Sequence, residues 1–407
     1  MFSSTPIAAA DVPHYAEVID TVDAAGGAVV AESVDRPAAF DEPQVGFVRK
    51  VARLTVSATD WLFGAATLIV GLALLASYPV LQMLSLGYLL QVSGRIARTG
   101  RLRDGFIGVR KAARLGSIAF GTWLVLLPLR FVSSMAASAT LIDPESRAAR
   151  GWSMALIVLT VLAVAHIVSA CWRGGRLRHF LWPRPVRLLK SLRRKGAYTE
   201  TRDAVLQFVA GLQLRHYFWL GLRGFVGGLV WLFVPISLLA AAQKVPPVGF
   251  LGAFVLMWVL MYLPFLQARF AAENRFGAQF ELSAVRALFH KAPVLFWLSL
   301  FCTLLFALPL YLLKIEMVPR EAAWLPSLVF VIFIFPARLL TGWTCGRAAR
   351  RPTNRNFFVR QAARLAMVPV VAFYVLVVFL TQYTSWHGVA SLYEQHAFLV
   401  PVPFLGL

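Results

Sequence analysis

The sequence predicts an all-α polytopic membrane protein: a transmembrane helix bundle with interfacial amphipathic helices and a parallel internal repeat. Three observations predict it. The 407 residues are 59% hydrophobic and only 14% charged, where a soluble chain carries roughly a quarter charged residues. Apolar stretches of crossing length recur from Trp61 onward; a crossing takes about 20 residues, because a helix rises about 1.5 Å per residue through a hydrocarbon layer of roughly 30 Å. The basic residues gather between alternate stretches, as a fixed topology requires.

Residues 1–48 come first. They hold eight of the nineteen acids, are rich in Ala, Val and Pro, and show no sustained period. Without a basic start and an apolar core they do not read as a signal peptide, so they predict a retained, flexible acidic tail. The domain from 49 to 407 is transmembrane. Its first apolar region, 61–94, would make a single helix of about 50 Å, too long for one upright crossing. Pro79 stands in its middle and biases Tyr78 away from helical dihedrals. Two short helices, 61–77 and 80–94, forming a hairpin are expected, with one kinked helix as the alternative. Single crossings follow at 115–137, 152–172, 219–242, 248–268, 293–313, 324–341 and 366–384.

Lys and Arg number forty against nineteen Asp and Glu, a net charge of +21. Alternate loops hold 29 of the basic residues and the opposite loops only 5: Arg147, Arg150, Lys244, Lys314 and Arg320. By the positive-inside rule the rich side is cytoplasmic. Arg49, Lys50 and Arg53 place the N-terminus there too, and the C-terminal tail, with no Lys or Arg, ends outside. A multi-pass protein of a bacterial inner membrane is the expected setting. Topology accounts for the charge, so nucleic acid is not an expected partner. Seven of twelve tryptophans, among them Trp61, Trp152 and Trp324, fall near predicted helix ends, as an interfacial belt does.

The chain repeats itself. Val109-Arg-Lys-Ala-Ala-Arg-Leu115 returns as Val359-Arg-Gln-Ala-Ala-Arg-Leu365, and Gly94-Arg-Ile-Ala-Arg98 as Gly346-Arg-Ala-Ala-Arg350. Val285-Arg286 before Pro293 is a third, weaker copy. The unit reads as apolar helix, proline bend (Pro79, Pro336), basic amphipathic elbow, crossing helix. Both full copies face one side, which makes the repeat parallel. The run Pro79-Val-Leu-Gln-Met-Leu-Ser-Leu-Gly-Tyr-Leu-Leu-Gln-Val-Ser-Gly-Arg-Ile-Ala-Arg98 resembles a segment of uncharacterised bacterial multi-pass membrane proteins. Those have a hydrophobic hairpin, a Gly-Tyr-Leu-Leu-type helix and a run of arginines. The likeness covers about 60 residues; it implies a hairpin and no chemistry. This chain departs from it in having Asp104 alone after the arginines.

No catalytic set is legible. Gly94 to Arg101 lacks the spacing and the Gly-Lys-Ser/Thr ending of a phosphate loop, and no HExxH or GxSxG occurs. Ser153 and His166 lie about 20 Å apart along one helix. Cys171, Cys302 and Cys345 form no CxxC pair, so neither disulfide, metal nor cofactor is expected.

Ionisable residues inside crossings are functional suspects by default. Arg130, near Pro128, reads as an anion or lipid-headgroup contact or as a snorkelling side chain. Arg223 lies one turn inside a boundary and reads as snorkelling. His166 reads as a neutral imidazole bonded to a neighbouring segment, ahead of a proton relay. In the densest basic stretch, Arg184, Arg187, Lys190, Arg193 and Arg194 alternate with Val186, Leu188, Leu189 and Leu192. That pattern suits an amphipathic helix in the headgroup plane, contacting lipid or a partner. Glu273, Glu281 and Arg286 share an elbow at 271–292, where local salt bridges are expected. Ser133 with Ala137, and Gly224 with Gly228, fit close helix packing. The expected function is a non-enzymatic membrane component that binds anionic lipid, or an unidentified protein partner, through basic cytoplasmic loops. A transporter with a polar path near Arg130 is the alternative. A lipid-modifying enzyme is a second, for which only the dispersed Asp60, His166, His387 and Glu394 are available.

Overall fold

A computed structural model describes residues 47–182, 197–312, 324–385 and 388–393. Among the described residues the chain is helical and contains no strand. The helices are α1 (Phe47–Ala76), α2 (Gln82–Thr99), α3 (Val109–Ile142), α4 (Arg147–Trp172), α5 (Leu177–Leu181) and α6 (Ala197–Ala210). They continue with α7 (Leu214–Ala240), α8 (Pro246–Glu273), α9 (Leu282–Lys291), α10 (Pro293–Leu312), α11 (Trp324–Ala349) and α12 (Phe357–Thr384). The packing described here is that of the unit from Arg53 onward. Seven helical segments are long and apolar enough to cross a membrane, and the α9–α10 pair, bent by 113°, brings the number to eight. The protein is a multi-pass helical membrane protein.

Sequence reading placed nine such segments, and the difference is α2. The break at Pro79 is present, but α1 begins at Phe47, within the expected tail, rather than at 61. The second half of the expected hairpin is a helix of 18 residues carrying Ser85, Ser93, Gln91, Arg95 and Arg98, too polar to face lipid. It does not need to. Every residue from Ser85 to Leu90 is buried by neighbouring helices, so α2 is solvated by protein. Helices α3 and α12 start earlier than their apolar runs, because the basic elbow motif is itself helical: α3 starts at Val109 rather than 115, and α12 at Phe357 rather than 366.

The repeat has a structural counterpart more extensive than its sequence signal. Two helices are capped by a left-handed residue, α2 by Gly100 (φ 64°) and α8 by Asn274 (φ 52°), and α4, capped by Arg173, is followed by the left-handed Gly174 and Gly175 (φ 100° and 63°). Left-handed caps favour Gly and Asn for want of a Cβ clash or through local hydrogen bonding. Gly100, Gly175 and Asn274 are each followed by an extended arginine, Arg101, Arg176 or Arg275. Each arginine leads into a short helical turn, at Leu102–Gly105, Leu177–Leu181 or Phe276–Phe280. The α11–α12 unit keeps the flanking motifs but has Pro352 at the cap position. The architecture is therefore a series of helix–elbow–helix units.

These units interlock through α2, which packs on α7, α8 and α11. Within lipid there is little hydrophobic drive between helices, so association depends on close packing. Gly87 and Gly221 make α2 and α7 meet backbone to backbone: a Cβ on Gly87 would overlap the Tyr217 carbonyl, and one on Gly221 the Met83 carbonyl. On the α8 side Gly94 lies against the Ala271 carbonyl. On the α11 side Gly342 meets the Ser93 carbonyl, and a Cβ on Gly346 would stand 2.8 Å from the Ile96 oxygen. The repeated Gly thus has the same task in both copies: it admits the last turn of a neighbouring unit. Helices α3, α4 and α5 form a lateral group beside this core. It is reached through α1, where Gly64 faces Val109 and Thr67 faces Gly116. Ser133 and Ala137 are exposed on α3 rather than packed; Ala112, Gly116, Ser117, Gly121 and Ala136 are its buried small residues.

Gly87→Ala should destabilise the protein by about 1–3 kcal/mol, because the obstacle is backbone and a helix must move. Gly71→Ala, which meets nothing within 4 Å, should leave the thermal midpoint in detergent unchanged or raised. Equal midpoints for the two variants would contradict the close approach.

Candidate functional site: the basic elbow end

The C-terminal ends of α2, α8 and α11 converge, and with them the basic motifs. A helix end leaves carbonyls without intrahelical donors and carries partial negative charge, so arginine is a fitting cap. Arg350 Nη2 donates to the Arg98 carbonyl (3.1 Å), and Arg98 Nη1 donates to the Ala272 carbonyl (2.9 Å). Arg98 and Arg350 hold the same place in the repeat, and Ala272 holds it in the α8 unit, so each cap passes to the equivalent position of the next unit. Lys111 Nζ donates to the Gly211 carbonyl, and Arg351 Nη1 to the Lys291 carbonyl (3.4 Å).

Two carboxylates of the 271–292 elbow are committed locally, as expected, but to different arginines than Arg286. Arg269 Nη2 lies 2.8 Å from Glu273 and 2.7 Å from Glu281, while Arg275 Nη2 lies 3.0 Å and 2.5 Å from the same two. The following turn is anchored by Gln279, whose Nε2 donates to the Arg223 carbonyl (3.1 Å) and whose carbonyl accepts from Trp231 Nε1 (3.0 Å). Gly227 leaves the space that the Gln279 side chain fills.

Arg286 and Arg364 instead line a cleft of about 150 Å³ between α8, α9, α10 and α12. Helix α9 is an elbow, not a crossing: it turns 113° into α10 and buries Val285 and Phe289. Arg286 lies over the Tyr262 ring at 5.7 Å and Arg364 over the Phe289 ring at 5.4 Å, distances at which a ring face attracts a cation. Arg364 Nη2 donates to His290 Nε2 (3.2 Å). Burial, then Arg360 and then Arg364, holds the His290 imidazole below its ordinary pKa. Arg360 lies over Phe357 at 5.9 Å, and its buried Nε has no hydrogen-bond partner. Phe289, Phe296 and Met367 form the apolar floor. None of Arg286, Arg360 and Arg364 forms an ion pair with a described carboxylate.

The other sequence candidates are scattered. Arg130 is exposed on α3 and lines neither this cleft nor the apolar one between α10 and α12. Arg223 is exposed on α7, consistent with a side chain reaching the interface. His166 donates through Nε2 to the Phe180 carbonyl (2.7 Å), tying α4 to α5. Arg184, Arg187, Lys190, Arg193 and Arg194 lie outside the described residues, as do His387 and Glu394. Among the described residues no three His, Cys, Asp or Glu side chains are grouped as a metal site needs.

Arg338 falls inside the expected crossing at 324–341 although it is one of the 29 basic residues counted with the loops, and the structure places it within the helix. Arg338 is 3% exposed within α11, and its Nη1 donates to Gln267 Oε1 on α8 (2.8 Å), itself fully buried. Arg338 stands two residues after Pro336, near the end of the apolar run, but the helix continues to Ala349. Gln267→Leu should lower stability by roughly 1.5–3 kcal/mol, the usual worth of a hydrogen bond to a charged group. Adding Arg338→Met should recover part of that loss, since a buried ion replaced by a hydrophobe of similar volume is often neutral. A double variant less stable than Gln267→Leu alone, measured by thermal unfolding in detergent, would show that Arg338 is held by more than this pair.

Comparison with family models, with curated proteins and with solved structures finds no match to this chain.

Proposed function

We propose that the protein is a non-enzymatic membrane component whose basic elbow end, on the cytoplasmic face of a bacterial inner membrane, binds anionic lipid. One observation carries the reading: the cations of this end are steadied by carbonyls and aromatic rings, while Arg286, Arg360 and Arg364 make no ion pair with a described carboxylate. A cation held in place without a countercharge is suited to an external anion. At a membrane boundary the abundant anion is a lipid headgroup, and each surface-near Lys or Arg contributes on the order of 1 kcal/mol against it. The 29-to-5 division of basic residues supports the cytoplasmic assignment, and the weak likeness of residues 79–98 to uncharacterised membrane proteins is compatible with it. The same arrangement would be met by a patch that merely fixes topology, so the distinction is measurable enrichment.

The full-length chain, extracted with its surrounding lipid in a polymer disc, should carry phosphatidylglycerol several-fold above its share of the bulk membrane. Reconstituted at 0.5 M salt instead of 0.05 M, the enrichment should shrink, because screening shortens from about 14 Å to about 4 Å. Phosphatidylcholine and phosphatidylglycerol taken up in proportion to supply, at both salt concentrations, would remove lipid binding from the reading.

A further inference from the structure

We infer that the cleft between α8, α9, α10 and α12 seats a single phospholipid of the anionic class, its phosphate at Arg286 and Arg364 and part of one acyl chain on the floor of Phe289, Phe296 and Met367. The inference rests on the proposed lipid-binding role and narrows it to one site and one stoichiometry. Three features of the cleft require such an occupant together. The rim carries two guanidiniums, each laid over an aromatic ring and neither paired with a described carboxylate. The charge gathered there is positive: Arg364 donates to His290 at 3.2 Å, and the buried Nε of the neighbouring Arg360 has no hydrogen-bond partner. The floor is apolar, with Phe296 at 1% exposure and Met367 at 3%. A soluble phosphate would use the rim and leave the floor wet. A neutral lipid would use the floor and leave the rim uncompensated.

Size and position select the segment that enters. A dry apolar cavity of about 150 Å³ holds something the size of benzene, so the cleft of about 150 Å³ takes a length of chain and not a whole lipid. The remainder lies along the mouth, where Leu365 and Val368 are 76% and 42% exposed. The apolar groove between α10 and α12, lined by Phe301, Leu305 and Phe373 among others, has no cation at its rim and offers nothing that selects one headgroup.

Native mass spectrometry of the full-length protein in detergent, with phosphatidylglycerol, phosphatidylcholine or palmitate added separately, tests this. Wild type should retain one phosphatidylglycerol per chain, and inorganic phosphate should not displace it. In Arg286→Gln/Arg364→Gln retention should fall roughly 30-fold, two surface cations being removed. In Arg110→Gln/Arg114→Gln, which alters the repeat-related arginines of α3, it should be unchanged. Val368→Trp, which blocks the mouth without touching a charge, should also release the lipid, and serves where the arginine variant does not fold. Undiminished retention in Arg286→Gln/Arg364→Gln or in Val368→Trp, or equal retention of phosphatidylcholine, overturns the inference. If bulk phosphatidylglycerol enrichment survives that result, only this site is lost; if enrichment is absent from wild type, the broader role fails with it.

Discussion

Everything in this fold depends on α2 touching three helices at the level of the backbone. Gly87, Gly94 and their partners Gly221, Gly342 and Gly346 remove the side chains that would hold α7, α8 and α11 at ordinary distance. In water a looser contact could be compensated by apolar burial, but lipid tails are as apolar as leucine, so the drive must come from fit, hydrogen bonds and dispersion. A helix enclosed in this way is also freed from the composition a lipid-facing helix needs. Serine, glutamine and arginine on α2 are tolerated because protein, not hydrocarbon, surrounds them.

The same approach brings three helix ends together, which creates an electrostatic problem and its solution. Converging C-termini gather carbonyls and the negative ends of helix dipoles. Arg98 and Arg350 answer this locally, each bonded to the terminal carbonyl of the neighbouring unit. A part of the positive charge that reads as topology is therefore structural. What distinguishes Arg286 and Arg364 is that each lies over an aromatic ring rather than capping a helix-end carbonyl. A ring steadies a cation without neutralising it, so the capacity to meet an anion is retained.

Membrane class and most crossings are legible because hydrocarbon thickness and the cost of buried charge act directly on composition. The failures have equally physical causes. Helix α2 was read as a lipid-facing crossing because composition does not show which neighbours enclose a segment. The pairing of Arg338 with Gln267 is not legible because a buried arginine looks, in one dimension, like the start of a basic stretch. The elbow motifs are legible as repeats, yet the left-handed residues Gly100, Gly175 and Asn274 that precede the elbow turns do not align by residue type, since Gly and Asn serve the same backbone conformation. The cleft was invisible for a further reason: Arg286 and Arg364 are 78 positions apart and meet only through the repeat geometry.

That geometry turns on one residue. Counted from the repeated Val-Arg pair, Pro293 stands where the other copies have Ser117 and Met367. In those copies the motif runs without interruption into α3 and α12, of 34 and 28 residues. Proline lacks the amide hydrogen that would continue the helix and disfavours helical dihedrals in the residue before it. Ala292 accordingly leaves the helical region (φ −142°, ψ 52°), and the chain turns 113° between α9 and α10. One copy of the motif is thereby laid across the bundle end while its counterpart in α12 stays upright. Arginines that in a symmetric arrangement would point the same way along parallel helices are turned to share a rim, with the buried Phe289 and Phe296 lining the cleft beneath them on either side of the bend. A duplicated unit that served packing in its other copies has acquired a concave surface here through the loss of a single backbone donor.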